Sequence, residues 1–180
     1  YDRKQPEFKL KFQKYLQRNI TPQKKKEINI IYKENKEFLL LLNEKFKVDP
    51  SILVSLWGIE TSFGKHVGKL DILRSLLSLA YDGRRQEFFL KELKLALKII
   101  EDGHISPKDF RGSWAGAFGQ TQFMPSTFHK FAIDFDNDKK INLFKKSDAL
   151  ASGANYLNQV GWNNNLLWGE EVKIIISDKL

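Results

Sequence analysis

The strongest constraint on this fold is a helical period of apolar residues that returns along nearly the whole chain, broken each time by a start or stop signal. Residues 6–19 carry Phe8, Phe12, Tyr15 and Leu16 at spacings of three and four, the stripe of an amphipathic helix. Thr21 offers a hydroxyl to the free amides of a following helix, with Pro22 at its first position, and that pattern runs to about residue 46. Asp49 and Pro50 repeat the device and open an apolar helix over 51–63, with Gly64 placed to stop it. Two more helices are expected over 71–81 and 84–102, joined at Asp82-Gly83, and helical patterns return over 125–133 and 147–160. Residues 172–176 are the only convincing strand, and a lone strand needs a partner to be stable. The expected fold is mainly α, one domain over 1–180, with a small, incomplete C-terminal β element in the segment 169–180.

Composition excludes several classes. At 180 residues, with 42% hydrophobic residues, 14 Phe and 4 Trp, the chain has the means to bury a core and is unlike a disordered sequence. No apolar stretch approaches the roughly 20 residues of a membrane helix. The absence of cysteine removes disulfides, thiolate catalysis and thiolate zinc sites. His66, His104 and His129 lie in unrelated segments with no metal-ligand spacing. A net charge of +8 attracts polyanions of any kind. The chain lacks an Arg/Lys-dense recognition helix, so no nucleic-acid partner is expected.

Two segments carry candidate chemistry. On a helix Glu60 shares the stripe of Leu53, Leu56 and Trp57, and a carboxyl group in apolar surroundings loses hydration, which favours its protonated form. A glycosidase general acid requires this. The alternative is a Glu60 that turns to solvent or pairs with a lysine. The block from Gly112 through Ser113, Trp114, Gly116, Gly119 and Gln122 to Pro125 mixes small residues with amides and aromatics. Such a segment suits a sugar, which needs hydrogen-bond partners beside a flat apolar face, or else it is a glycine-rich packing element.

Gly58-Ile59-Glu60-Thr61, the block 112–125 and Ala154-Asn155-Tyr156-Leu157 stand in the order found in lytic transglycosylases. With residues 2–8, Arg84-Arg85 and the run from Asn155 to Trp162, the chain most closely resembles the membrane-bound lytic murein transglycosylase B family along nearly its whole length. The resemblance implies a lysozyme-like helical fold with Glu60 as the catalytic acid and base. It implies that Ser113 and Gln122 hold the sugar or its N-acetyl group, that Tyr156 lies in the groove, and that Arg84 and Arg85 meet peptide carboxylates. Tyr15 is a weaker groove candidate. The implied reaction cleaves the β-1,4 bond between N-acetylmuramic acid and N-acetylglucosamine in peptidoglycan. Glu60 protonates the leaving oxygen, then takes the proton of the muramic 6-hydroxyl as that group closes a 1,6-anhydro ring, which departs from the two-carboxylate scheme. A hydrolytic muramidase, with Asp71 or Asp82 as second carboxylate, and a non-catalytic wall-binding module are the alternatives. A periplasmic or cell-envelope address, a monomer, and membrane anchoring only through a segment absent from this chain complete the expectation.

Asp134, Asp136 and Asp138 alternate so that their carboxylates can converge on one hard cation, calcium being the natural candidate. Counting from Asp134, Lys140 at position seven would give its backbone carbonyl. Lys139 stands where a glycine is usual, and Lys145 where a bidentate glutamate is usual. In the resembled family the closing carboxylate comes later, at the place of Asp148. The expected ion is structural, and no cofactor is required for the chemistry.

Overall fold

The computed structural model of the chain describes residues 11–166 together with Gly169, Val172 and Lys173. Helices α1 (Phe12–Asn19), α2 (Pro22–Glu34), α3 (Lys36–Phe46) and α4 (Pro50–Thr61) lead to a two-residue strand β1 (Leu70–Asp71). Then come α5 (Ile72–Tyr81), α6 (Gln86–Glu101), β2 (Arg111–Gly112), α7 (Pro125–Phe131) and α8 (Lys146–Gln159). The architecture is mainly α. The strand expected over 172–176 lies largely outside the described residues, as do residues 6–10 of the first expected helix; that helix is corrected to a start at Phe12, because Lys11 is extended.

The cap signals act as the sequence implies. The Thr21 hydroxyl accepts from the Lys24 amide at 3.1 Å and Asp49 accepts from the Ser51 amide at 2.7 Å. Asp71, taken from the sequence as the first residue of its helix, is its cap instead and accepts from the Arg74 amide at 3.0 Å. Two further expectations are corrected, and one element was not foreseen. The helix expected over 21–46 is two, because Asn35 leaves helical geometry and its side chain donates to the Ile31 carbonyl at 2.8 Å. The helix expected to reach residue 63 stops at Thr61, with Ser62 and Phe63 both left-handed, so that the Phe63 ring folds back edge-on against Trp57 at 5.4 Å. The strand pair was not foreseen: β1 and β2 run antiparallel, Leu70 facing Gly112 and Asp71 facing Arg111. Two-residue strands are too short for alternation to reveal them.

Two apolar clusters form the core. One gathers Leu39, Leu42, Leu53, Val54 and Trp57 from α3 and α4 against Leu150, Ala151 and Ala154 of α8. The other joins α5, α6 and α7 to the glycine-rich loop through Ile72, Leu76, Phe89, Phe110, Phe118, Phe123 and Phe128. The buried run of α8 from Asp148 to Ala154 is almost all small residues, which lets its neighbours pack closely.

Candidate active site

A groove of about 280 Å³ opens between the two clusters. Helix α4 supplies Leu53, Leu56, Trp57 and Glu60, the loop before α7 supplies Thr121, Gln122, Phe123 and Met124, α7 supplies Thr127, and α8 supplies Gly153, Tyr156 and Leu157. The groove is mainly apolar with a few polar groups, the composition of a small-molecule site.

Glu60 is the one carboxylate among the described residues that line it. It makes no hydrogen bond or ion pair with any described residue. Its carboxyl is lifted above the usual glutamate range by partial burial. Its place in the last turn of α4 acts in the same direction, since the C-terminal end of a helix carries partial negative charge. Solvent still reaches the side chain, so full exclusion from water is not what the structure has. The groove walls strip hydration from one side only.

The loop is shaped by close approach. Gly119 has φ +74, and a Cβ there would lie 2.4 Å from Leu143 Cβ. A Cβ on Gly68, at φ +89, would lie 2.2 Å from the Gly112 backbone, so the link after α4 can rest on β2 only without side chains. One residue that sequence reasoning passed over joins this loop to α4. Gln120 accepts from the Trp57 indole at 2.9 Å, donates to the Phe144 carbonyl at 2.6 Å, and its own carbonyl accepts from the Thr61 hydroxyl at 2.8 Å. Its presence inside the quoted block was the only available signal. Nothing in one sequence links residues so far apart.

Gln122 lines the groove at a left-handed φ of 50, a strained state for a side-chain-bearing residue. Its amide nitrogen donates to the Gly119 carbonyl at 2.8 Å and the Val67 carbonyl at 3.2 Å, leaving its side-chain oxygen without a partner among the described residues. Tyr156 lines the groove with its ring against Phe131 at 5.0 Å. Ser113 does not line it, and its hydroxyl accepts from the Ala117 amide at 3.0 Å within the loop. Arg84 and Arg85 stand exposed at the turn between α5 and α6, the Arg85 guanidinium 4.3 Å above the Phe88 ring, and Tyr15 sits half exposed on α1. None of these three lines the groove. Asp71 caps α5 and pairs with Arg111 at 3.2 Å, and Asp82 lies in the turn after α5, so neither stands beside Glu60 as a lining carboxylate.

In the acidic loop, oxygens of Asp134, Asp136 and Asp138 all lie within 4.8 Å of one another. Lys139 takes φ 70, the left-handed state a glycine would supply at that turn. Asp148, fully buried, accepts from the Phe135 amide at 3.1 Å and the Asn142 amide at 2.8 Å. Hard carboxylate oxygens at this spacing fit a calcium ion. The Lys145 ammonium reaches into the same cluster, to Asp136 at 3.3 Å and more closely to Asp138. Hydrogen bonding to Lys145 holds the Asp138 carboxyl below its usual range, and Asp138 raises the Lys145 ammonium.

Residues 1–179 match the sequence family described as Transglycosylase SLT domain. The membrane-bound lytic murein transglycosylase B of Escherichia coli (strain K12) is 36% identical over 150 residues, 83% of this chain and 42% of that one. The crystal structure of SltB3 from Pseudomonas aeruginosa in complex with NAG-NAM-pentapeptide superposes with a TM-score of 0.85 at 40% identity, covering 90% of this chain and 44% of that one. SltB3 has also been solved with NAG-anhNAM-pentapeptide. The Escherichia coli lytic transglycosylase Slt35 in complex with calcium gives a TM-score of 0.79 at 36% identity, over 83% of this chain and 48% of that one. The chain thus spans less than half the length of each of these relatives, and shares with them a lysozyme-like helical fold.

Proposed function

Because this chain belongs to the transglycosylase SLT domain family, we propose that it carries a lytic transglycosylase activity, cutting peptidoglycan between N-acetylmuramic acid and N-acetylglucosamine. The observation that carries this reading is the state of Glu60. It is a carboxylate with no partner among the described residues, raised in pKa by partial burial, in a mainly apolar groove that Gln122 and Tyr156 also line. A group in that state holds a proton ready for a leaving oxygen.

Protonated Glu60 delivers its proton to the glycosidic oxygen as the bond to the muramic C1 breaks. The resulting carboxylate then takes the proton of the muramic 6-hydroxyl as that oxygen bonds to C1. The product is a 1,6-anhydro end, and no water is consumed. The nucleophile belongs to the substrate, so one protein carboxylate suffices, in agreement with the lack of a second along the described groove. Capture of an anhydro ligand by SltB3 supports the same outcome here. Gln122 offers its side-chain oxygen to a donor on the sugar, and Tyr156 its ring and hydroxyl. Ser113, Arg84, Arg85 and Tyr15 belong to more distant contacts with the glycan and its peptides. The wall of the cell envelope is the place of action, and a monomer is sufficient for it.

The acidic loop takes a structural calcium ion in this reading, held by Asp134, Asp136, Asp138 and Asp148 with the Lys140 carbonyl. The ion would cross-link the loop and take no part in the chemistry. Calcium in Slt35 supports this, and Lys145 must leave the carboxylates for the ion to enter.

The test is digestion of purified sacculi followed by mass analysis of the soluble products. Anhydro-muropeptides, one water lighter than hydrolysis products, are expected from the native chain and none from Glu60→Gln. Products of full hydrolytic mass would make it a muramidase, and binding without release would make it a wall-binding module.

A further inference from the structure

Among the described residues, the Thr121 hydroxyl oxygen is the one buried side-chain polar atom that makes no hydrogen bond. It belongs to a residue that lines the groove, one place before Gln122 and across from Glu60 on α4. An orphaned hydroxyl away from water is destabilising, so a site that keeps one gives up stability in the free state for something gained in another. We propose that Thr121 is a further glycan-contacting residue, whose hydroxyl finds in the bound sugar the partner that the protein does not provide. The inference rests on the glycan-cutting reading of the same groove.

The surroundings support a ligand rather than a packing fault. On the far wall α8 presents Gly153, where a Cβ would lie 3.2 Å from Thr121 Cγ2 and 3.4 Å from Leu53 Cδ1. The missing side chain keeps open the space beside Thr121. The methyl branch lies toward Gly153 in the free protein, and a turn of about 120° about χ1 brings the hydroxyl to the methyl's place while the methyl moves to that of the Cβ hydrogen. The hydroxyl then meets the groove and can both donate and accept, which suits a sugar hydroxyl or the acetamido group of an N-acetylhexosamine. Neighbouring Gln122 cannot do both, since its amide nitrogen is already committed to two backbone carbonyls.

A valine at this position keeps the shape and removes the hydroxyl, which gives the two states opposite responses. In the free protein Thr121→Val melts at or above the temperature of the parent, because an unsatisfied buried group is gone. Binding of soluble NAG-NAM-pentapeptide, measured by calorimetry in a Glu60→Gln background of the full chain, weakens roughly five-fold or more in Glu60→Gln/Thr121→Val. Glu60→Gln/Thr121→Ser, which retains the hydroxyl, binds within about two-fold of Glu60→Gln. Equal affinity of the valine variant overturns the proposal while leaving the glycan reading intact. A valine variant that melts several degrees lower also overturns it, since the hydroxyl would then have its partner inside the protein. If Glu60→Gln binds no glycan fragment at all, the reading of the groove itself falls, and this inference with it.

Discussion

The groove and the acidic loop are the two polar regions of this molecule, and they treat their polar groups in opposite ways. In the loop every carboxylate is answered: Asp148 by two backbone amides, Asp134 by the amides of Asp138 and Lys139, Asp136 and Asp138 by Lys145. In the groove Glu60 has no partner among the described residues, and the Thr121 hydroxyl and Gln122 side-chain oxygen have none either. Satisfied groups hold a shape, whereas unsatisfied groups beside an open cavity hold capacity for a ligand. The contrast separates a region whose polar groups are satisfied from one that keeps capacity for a ligand, without reference to any relative.

The largest effect that tests this contrast is on the groove side. Glu60→Gln should lower the rate of release from sacculi by roughly 10²–10⁴-fold, the usual range for loss of a general acid and base, with the melting temperature preserved. A variant that cuts at the native rate would place the chemistry elsewhere. On the loop side, Asp148→Asn should leave glycan binding in place and damage the fold. It sets an amide donor against a backbone donor in a fully buried position, a loss of about 2–3 kcal/mol, or about 5–10 °C in a chain of this size. Thermal unfolding in chelator reads this directly, and an unchanged midpoint would mean that the loop does not depend on its buried carboxylate.

A smaller effect is expected from Lys145→Gln. Removing the ammonium from Asp136 and Asp138 should tighten calcium binding several-fold by calorimetry and lower the midpoint of the metal-free protein. Weaker calcium binding would show that Lys145 and the ion do not compete. The smallest effect is a pH dependence. Glu60 is raised in the folded state, so the folded chain holds its proton more tightly than the unfolded chain. Stability from this group is full at acid pH and declines as pH rises from the unfolded value through the raised one. The melting temperatures of the native chain and Glu60→Gln should coincide at acid pH and separate slightly in favour of Glu60→Gln at neutral pH. A separation in the other direction would mean that Glu60 is stabilised as a carboxylate.

Much of this was legible in residue order alone, because it depends on short-range signals. Thr21 with Pro22 and Asp49 with Pro50 start helices through bonds to amides two or three residues away, and a single sequence contains both partners. The apolar stripe that carries Glu60 is likewise a local pattern. Asn35 shows where local reading ends: the stripe continued through it, but its side chain donates to the Ile31 carbonyl and accepts from Lys146, and the helix breaks there.

By itself the sequence determined the helical class, the main helix starts, the segments that bear the candidate groove residues, and the acidic triad, since periodicity and capping act over one or two turns. Only the tertiary structure decided that Gln120 joins Trp57 to Phe144, that the Thr121 hydroxyl has no partner among the described residues, that Ser113 turns into its own loop, and that Lys145 fills the place beside the carboxylates. These depend on which chain segments meet in space. Hydration, hydrogen-bond satisfaction and the proton affinity of Glu60 are properties of that meeting, and no single segment carries them.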